Sequence, residues 1–211
     1  MLKEKDKEYE VWDYEEFSSF ISCAEDKEYK VLFVILFLTG LRLGEALALT
    51  WRDLTDRKLS ITKSMSKVCE FDVFEVKETK NFASIRDVSL NEALFRFLLE
   101  HKERQSCLEG FSDYWYIAGG SKPLSKTNIT RQKDKAVKKS GVKRITIHQF
   151  RHSHATNLIN DGVNVVAVSR RLGHSDVSMT LKVYTHLFQK IDIELVENLE
   201  LSSHDLLTKI D

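Results

Sequence analysis

Residues 145–157 read ITIHQFRHSHATN. A strand-like ITI gives way to His148, Arg151, His152 and His154 within seven residues. Spacings of three and four from His148 to Arg151 and His152 put these side chains on one helix face. They predict a helix over 148–160, stopped by Asp161-Gly162. Such a cluster has three candidate occupants: a metal ion, an anion, or the protein's own interior.

His148 and His152, four apart, have the spacing of a zinc pair. Nothing acidic follows until Asp161, so the base of a helix-borne zinc hydrolase is missing. The fixed charge of Arg151 beside a dication is also unfavourable. An anion uses the same residues differently. His148 and Arg151 share the first helical turn, where the helix dipole is positive, and a guanidinium fork binds two phosphate oxygens at once. His152 and His154 point further round the helix and read as interior histidines hydrogen-bonded to backbone.

Outward from this stretch the chain is mostly helical. Asp13, with Glu16 three residues on, forms a capping box for a helix carrying Phe17, Phe20 and Ile21. Residues 28–38 are nearly all apolar, which places that helix at the centre of the core. Thr39-Gly40 ends it, and 41–50 (LRLGEALALT) read as a short helix with Leu43, Leu47 and Ala46 inward. Helices follow at 91–104, at 125–140 with Ser125 or Thr127 as cap and Gly141 as stop, at 164–171 before Gly173, and at 178–188. Between the helical blocks, 59–65 (LSITKSM), 71–77 (FDVFEVK) and 84–90 (SIRDVSL) alternate as strands do and predict a small antiparallel sheet of three. The fold class is α+β, mainly helical.

Bulk properties bound the function. The 211 residues suffice for a sizeable core, and 42% apolar with 30% charged content suits a soluble globular protein. The longest apolar run, 31–38, is far short of the roughly 20 residues of a bilayer span, so no membrane is expected. The N-terminus has no hydrophobic signal region. Cys23, Cys69 and Cys107 are scattered, so they form neither a metal spacing nor a disulfide framework and point to a reducing cytosol. Net charge is zero, but residues 122–151 carry ten Lys or Arg against Asp134 alone, net +9. Residues 1–30 are net −5 and residues 185–211 net −4. The basic middle is either a face for phosphates or a solvated lysine-rich helix.

Three further residues can complete an anion site. Arg42 directly follows the most apolar helix, where a cation is costly unless an anion meets it. Glu45 can orient it, or the two form a plain helix pair. His174 follows a helix-ending glycine. Tyr184 falls ten residues later in a helical stretch, where a lone tyrosine is ordinarily core.

Together these stretches resemble the catalytic domain of the tyrosine recombinases, the phage and transposon integrases. TGLRLGEAL (39–47) is similar to that family's first arginine box, ITIHQFRHSHAT to its His-x-x-Arg box, and RLGHSDVSMTLKVYTH to its LGH motif with the tyrosine ten residues on. ETKNFASIRDVSL is similar to its lysine-bearing hairpin. The resemblance covers residues 8–190, leaving 191–211 as a C-terminal tail that packs in cis or on a neighbouring protomer. It implies a site-specific enzyme that cuts and rejoins strands of double-stranded DNA to integrate or excise a mobile element, as a tetramer on DNA, inside the host cytoplasm. No metal and no cofactor are expected.

By the resemblance, Arg42 and Arg151 hold the scissile phosphate, while His148 and His174 hydrogen-bond it and assist proton movement. Lys80, with Lys77 as fallback, protonates the departing 5′-oxygen, and Tyr184 attacks phosphorus. Lys126, Arg131, Lys133, Lys135, Lys138, Lys139, Lys143 and Arg144 become DNA-backbone contacts. Full-length relatives carry further DNA-binding domains ahead of this region, so weak DNA binding is expected of these residues alone, whether they are a piece of a longer protein or a stand-alone unit. A DNA-binding relative without chemistry and a type IB topoisomerase-like relaxing enzyme are the competing readings.

Overall fold

The computed structural model describes residues 10–67, 74–78, 85–178, 180, 181 and 184; of residues 67 and 74–78 it describes the backbone alone. The tail 191–211 and Lys80 lie outside the described residues.

Helix α1 (Tyr14–Ser22) begins at the capping box read from the sequence: Asp13 accepts from the Glu16 N–H, and Glu16 accepts from the Asp13 N–H. Its Phe17 stacks on Phe37 of α2 (Lys27–Thr39), with ring centroids 3.8 Å apart. Helix α2 is apolar on nearly every face because α1, the short α3 (Leu43–Ala48), α4 (Glu92–Ser106) and α6 (Ile147–Asn160) surround it. Phe150 of α6 meets Trp12, Phe20 and Phe33 edge-on or tilted, so α6 is pinned to the core by its first turn. Helix α5 (Lys126–Ser140) packs on α1, and α7 (Val165–Leu172) packs on α6.

The helices read from the sequence up to residue 172 are present, with small shifts at their ends. Helix α6 starts one residue early because Thr146 and Gln149 form a reciprocal cap. Of the expected 178–188 helix, residues 178, 180, 181 and 184 are helical and the rest lie outside the described residues.

A three-stranded antiparallel sheet is present, but its membership differs from the expectation. Its order is β1 (Leu54–Thr55), β2 (Lys58–Ile61), β5 (Arg86–Ser89), with Leu59 opposite Val88 and Ile61 opposite Arg86. The 59–65 run breaks at Thr62. Its second half, β3 (Lys63–Lys67), pairs instead with β4 (Phe74–Glu78) in a separate two-stranded ribbon. Leu59, Ile61 and Met65 are all buried, so the alternation runs straight through the break. Periodicity reports which face is buried and is silent on a change of partner.

The chain reverses after α2 through Gly40, at φ +67. A Cβ there would lie 2.6 Å from the His154 ring and 2.7 Å from Leu172. Gly141 caps α5 in the same left-handed conformation, at φ +76, with nothing within 4 Å. Gly40→Ala is expected to lower the urea unfolding free energy by roughly 2–4 kcal/mol, backbone strain and overpacking together. Gly141→Ala, with strain alone, is expected to cost about 1 kcal/mol. Equal costs at the two positions would contradict the packing described around Gly40.

Candidate active site

Helix α6 is held by Lys133 just before its start and by Trp12 along its length. Buried Lys133 of α5 donates through Nζ to the Ile145 carbonyl and pairs with Asp134 at 3.0 Å. The Trp12 N–H donates to Ser153 Oγ at 2.9 Å, and Asn157 Nδ2 donates to the Trp12 carbonyl at 3.1 Å. His148 and Arg151 therefore project from a turn whose backbone has little freedom.

Arg151 is buried, and its guanidinium bridges two helix ends. Nη1 donates to the Gly40 carbonyl at the end of α2, and Nη2 to the Leu172 carbonyl at the end of α7, both at 2.8 Å. Helix C-termini carry partial negative charge, so a cation belongs there. Burial, and then the charge of Arg42, disfavour its charged form.

Arg42 stands at the head of α3. Glu45 accepts from the Arg42 backbone N–H at 3.0 Å and from Arg42 Nη1 at 2.9 Å, while Arg42 Nη2 donates to the Gly173 carbonyl at 3.3 Å. The helix pair expected from the sequence is thus part of a larger network. Arg86, at the start of β5, faces the other side of the same carboxylate, with Nη2 at 2.9 Å and Nη1 at 3.3 Å. Burial acts to raise the Glu45 pKa, but the hydrogen bond and charge of Arg86, helped by Arg42, outweigh it and hold the group ionised. Arg86 Nε donates to the Arg171 carbonyl at 2.9 Å. Its guanidinium passes so close to Gly173 that a Cβ there would meet Nη1 at 2.7 Å. Two guanidiniums, on Arg42 and Arg86, thus share one carboxylate, and the third, on Arg151, feels its charge.

The histidines line this cationic pocket. His174, half-buried, bonds through Nδ1 to Thr180 Oγ1 at 2.7 Å. Burial first, then Arg151, Arg42 and Arg86, lower its pKa to about 4. His148 keeps an exposed surface, but partial burial of its imidazole, and then the charges of Arg151 and Arg42, lower its pKa. Its ring lies 4.9 Å from that of His152. Tyr184 is 4% exposed, and its hydroxyl lies 3.1 Å from His152 Nδ1. Arg151 feels Tyr184 electrostatically, which places the phenol beside the cation cluster.

Five of the six residues singled out as catalytic therefore converge: Arg42, His148, Arg151, His174 and Tyr184, with Glu45 at their base. Lys80 lies outside the described residues, and Lys77 is described by its backbone only. Arg86 and Thr180 were not singled out, since neither carries a spacing signal of its own. His152 and His154 are interior, as expected, but not simply backbone-bonded. His152 meets Tyr184, and His154 Nε2 accepts from Arg171 Nε at 3.1 Å, with a backbone hydrogen bond to Phe37 besides.

The basic segment is less available than its charge suggests. Lys133 is no surface contact, being 1% exposed and spent on Ile145 and Asp134. Lys135 and Lys139 both pair with Glu25, at 2.5 and 3.0 Å, and Arg144 with Asp134 at 2.8 Å. Lys143 faces Glu16 at 3.3 Å. Arg131 and Lys138 are exposed, and Lys126 is half-buried. Local acids thus neutralise much of the stretch that read as a phosphate-facing surface.

Among the described residues no helix is long and apolar enough to cross a membrane.

Comparison with solved structures gives the fold. A structure of the Tn1549 transposon integrase in complex with circular intermediate DNA matches with a TM-score of 0.72 at 23% identity, covering 87% of this chain and 64% of that one. The crystal structure of XerA recombinase matches at 0.66 and 19%, covering 87% and 61%. The architecture is the tyrosine recombinase catalytic-domain fold. The model of the phage integrase family matches residues 11–190, and the chain belongs to that family. Among curated relatives, the ICEBs1 integrase of Bacillus subtilis (strain 168) is 34% identical over 202 residues, covering 92% of this chain and 55% of the relative. The XerC-like tyrosine recombinase of Caldanaerobacter subterraneus subsp. tengcongensis is 30% identical over 213 residues, covering 91% and 54%. The chain spans about half the length of the curated relatives it matches.

The buried histidines make stability depend on pH. His152 is lowered to about 4 and His154 to about 3, burial being the first cause in both. An unfolded histidine titrates near ~6.5, so below that the unfolded chain binds more protons than the folded one. Stability is expected to fall as pH drops from about 6.5 towards 4, by up to about 1.4 kcal/mol per pH unit for each buried histidine. Urea unfolding at pH 7, 6 and 5 measures this; a flat profile would contradict neutral, buried imidazoles.

Proposed function

We propose that residues 8–190 are the catalytic unit of a site-specific tyrosine recombinase. It cuts and rejoins double-stranded DNA through a 3′-phosphotyrosyl link to Tyr184, integrating or excising a mobile element. The observation that carries this reading is the convergence of Arg42, His148, Arg151 and His174 around Tyr184, in a pocket with more positive charge than Glu45 can balance. A phosphodiester is the anion this arrangement suits. Charge gathers on its non-bridging oxygens during transfer, and preorganised donors stabilise that charge. Arg42 and Arg151 hold those oxygens, His148 and His174 hydrogen-bond them, and Glu45 keeps Arg42 in place. Lys80 protonates the departing 5′-oxygen, a role that rests on the family resemblance alone. The ester energy is kept in the phosphotyrosyl bond, so rejoining needs no nucleotide cofactor.

The same reading has the enzyme working as a tetramer on its attachment sites in the cytoplasm of a host cell, with the 191–211 tail packed in cis or on a neighbour. Exposed Arg131 and Lys138 are the better candidates for contact with the DNA backbone, since Lys133 is interior.

A randomised pool of nicked suicide duplexes, which lose the fragment needed for rejoining, tests the proposal. The protein is expected to form a denaturant-resistant adduct whose modified residue maps to Tyr184, and EDTA is expected to leave the yield unchanged. Tyr184→Phe should abolish the adduct. Arg42→Gln should slow its formation by roughly 10²–10³-fold. An adduct that survives in Tyr184→Phe, or is lost to EDTA, would overturn the assignment.

A further inference from the structure

The family resemblance gives proton movement to His148 and His174, yet a further histidine stands against the nucleophile's hydroxyl. His152 Nδ1 lies 3.1 Å from the Tyr184 oxygen, with the two ring planes at 56°. Both side chains are buried, at 9% and 4% exposure. The distance is within the reach required of a general base. The ring is also held firmly, because α6 is tied down at Ile145, Ser153 and Asn157 on either side of it.

We propose that His152 is the general base for the recombination chemistry: it takes the Tyr184 phenolic proton during strand cleavage and returns it on rejoining. The inference rests on the recombinase reading, since it requires Tyr184 as nucleophile. In the forward step the Tyr184 O–H proton passes to Nδ1, which accepts the phenolic hydrogen bond when the ring proton sits on Nε2. The phenolic oxygen forms a bond to phosphorus as the bond from phosphorus to the 5′-oxygen breaks. That oxygen leaves with the electron pair and takes a proton from the acid on its own side. In the reverse step the 5′-hydroxyl returns its proton to the conjugate base of that acid as its oxygen bonds to phosphorus, and the displaced phenolate recovers its proton from protonated His152.

The charged and titratable groups facing His152 suit this cycle. His148 and Arg151 on α6 and His174 beyond α7 add positive charge around it, and burial comes first in keeping it neutral, with its pKa lowered to about 4. A neutral ring is ready to accept a proton at working pH. Its low basicity belongs to the pocket without an anion. A phosphodiester seated against Arg151 and His174 offsets those charges and raises the proton affinity of His152 when the transfer occurs. The Arg151 charge also favours the phenolate that remains.

The test uses the full chain, a duplex enriched from the randomised pool, and His152→Asn, whose side-chain oxygen can accept the Tyr184 hydrogen bond but cannot carry off the proton. Cleavage by His152→Asn is expected to be slower by roughly 10²–10⁴-fold, with DNA affinity changed by no more than a few-fold. The defect should persist on a 5′-bridging phosphorothiolate, whose sulfur leaves without a proton. Between about pH 7 and 8.5 the variant's rate should climb about tenfold per unit, as hydroxide replaces the lost base, while the parent's stays nearly flat. His152→Gln serves as a second variant should the asparagine protein unfold. Parent-like cleavage by a folded variant would overturn the base assignment and leave Tyr184 as nucleophile. Rescue by the phosphorothiolate would do the same, by moving His152 to the leaving group. A parent protein that forms no adduct at Tyr184 would overturn the recombinase reading itself.

Discussion

Arg151 joins the fold and the chemistry at one point. Its guanidinium lies where α2 and α7 both end, donating to the Gly40 and Leu172 carbonyls. Each of these helices stops at a left-handed glycine, Gly40 and Gly173. The chain that leaves α2 delivers Arg42 three residues after Thr39, and the chain that leaves α7 delivers His174 two residues after Leu172. One buried cation therefore sets the separation of two helix termini and, with it, the positions of two more site residues. The tight space around Gly40 and Gly173 follows from the same constraint, because His154, Leu172 and Arg86 fill the room a side chain would need.

The arrangement has an electrostatic cost. Arg42 and Arg86 share the Glu45 carboxylate while Arg151 only feels its charge, and His148, His152 and His174 are pushed towards their neutral forms by burial and by nearby cations. Like charges held together in a half-buried pocket oppose folding. An anion that enters the pocket relieves that repulsion and stabilises the folded state by mass action. The features that make the pocket costly to fold are thus the ones the recombinase proposal relies on for affinity towards a phosphodiester and preference for the more highly charged transition state.

Much of this was legible in the sequence, because the signals were local. The Asp13–Glu16 capping box, the apolar run in α2 and the helix-ending glycines each depend on residues a few positions apart, and each appears where expected. The grouping of Arg42, His148, Arg151, His174 and Tyr184 came from family motifs, since no local rule brings five distant segments together. Long-range pairing was not legible. The alternation of 59–65 continues across Thr62 although the strand changes sheet there. Arg86 reads as one more polar residue in an alternating strand until Glu45 is seen opposite it. Charge density misled at α5: Lys133 is buried beneath Ile145, and Glu25 from the preceding acidic segment neutralises Lys135 and Lys139. His152 lies on the inner side of a strongly marked helix, and only the fold of the chain beyond α7 brings Tyr184 against it.

A cation cluster that awaits its anion makes a direct electrostatic claim, and the imidazole rings report on it. Nitrogen NMR titration of His148, His152 and His174 in the Tyr184→Phe protein, with and without saturating orthovanadate as a phosphate mimic, measures the pocket's field at three points. The account predicts titration well below the ordinary histidine value without the anion, near pH 4 for His152 and His174, and an upward shift of all three when vanadate binds. Ordinary histidine titration at all three rings, unmoved by the anion, would contradict it.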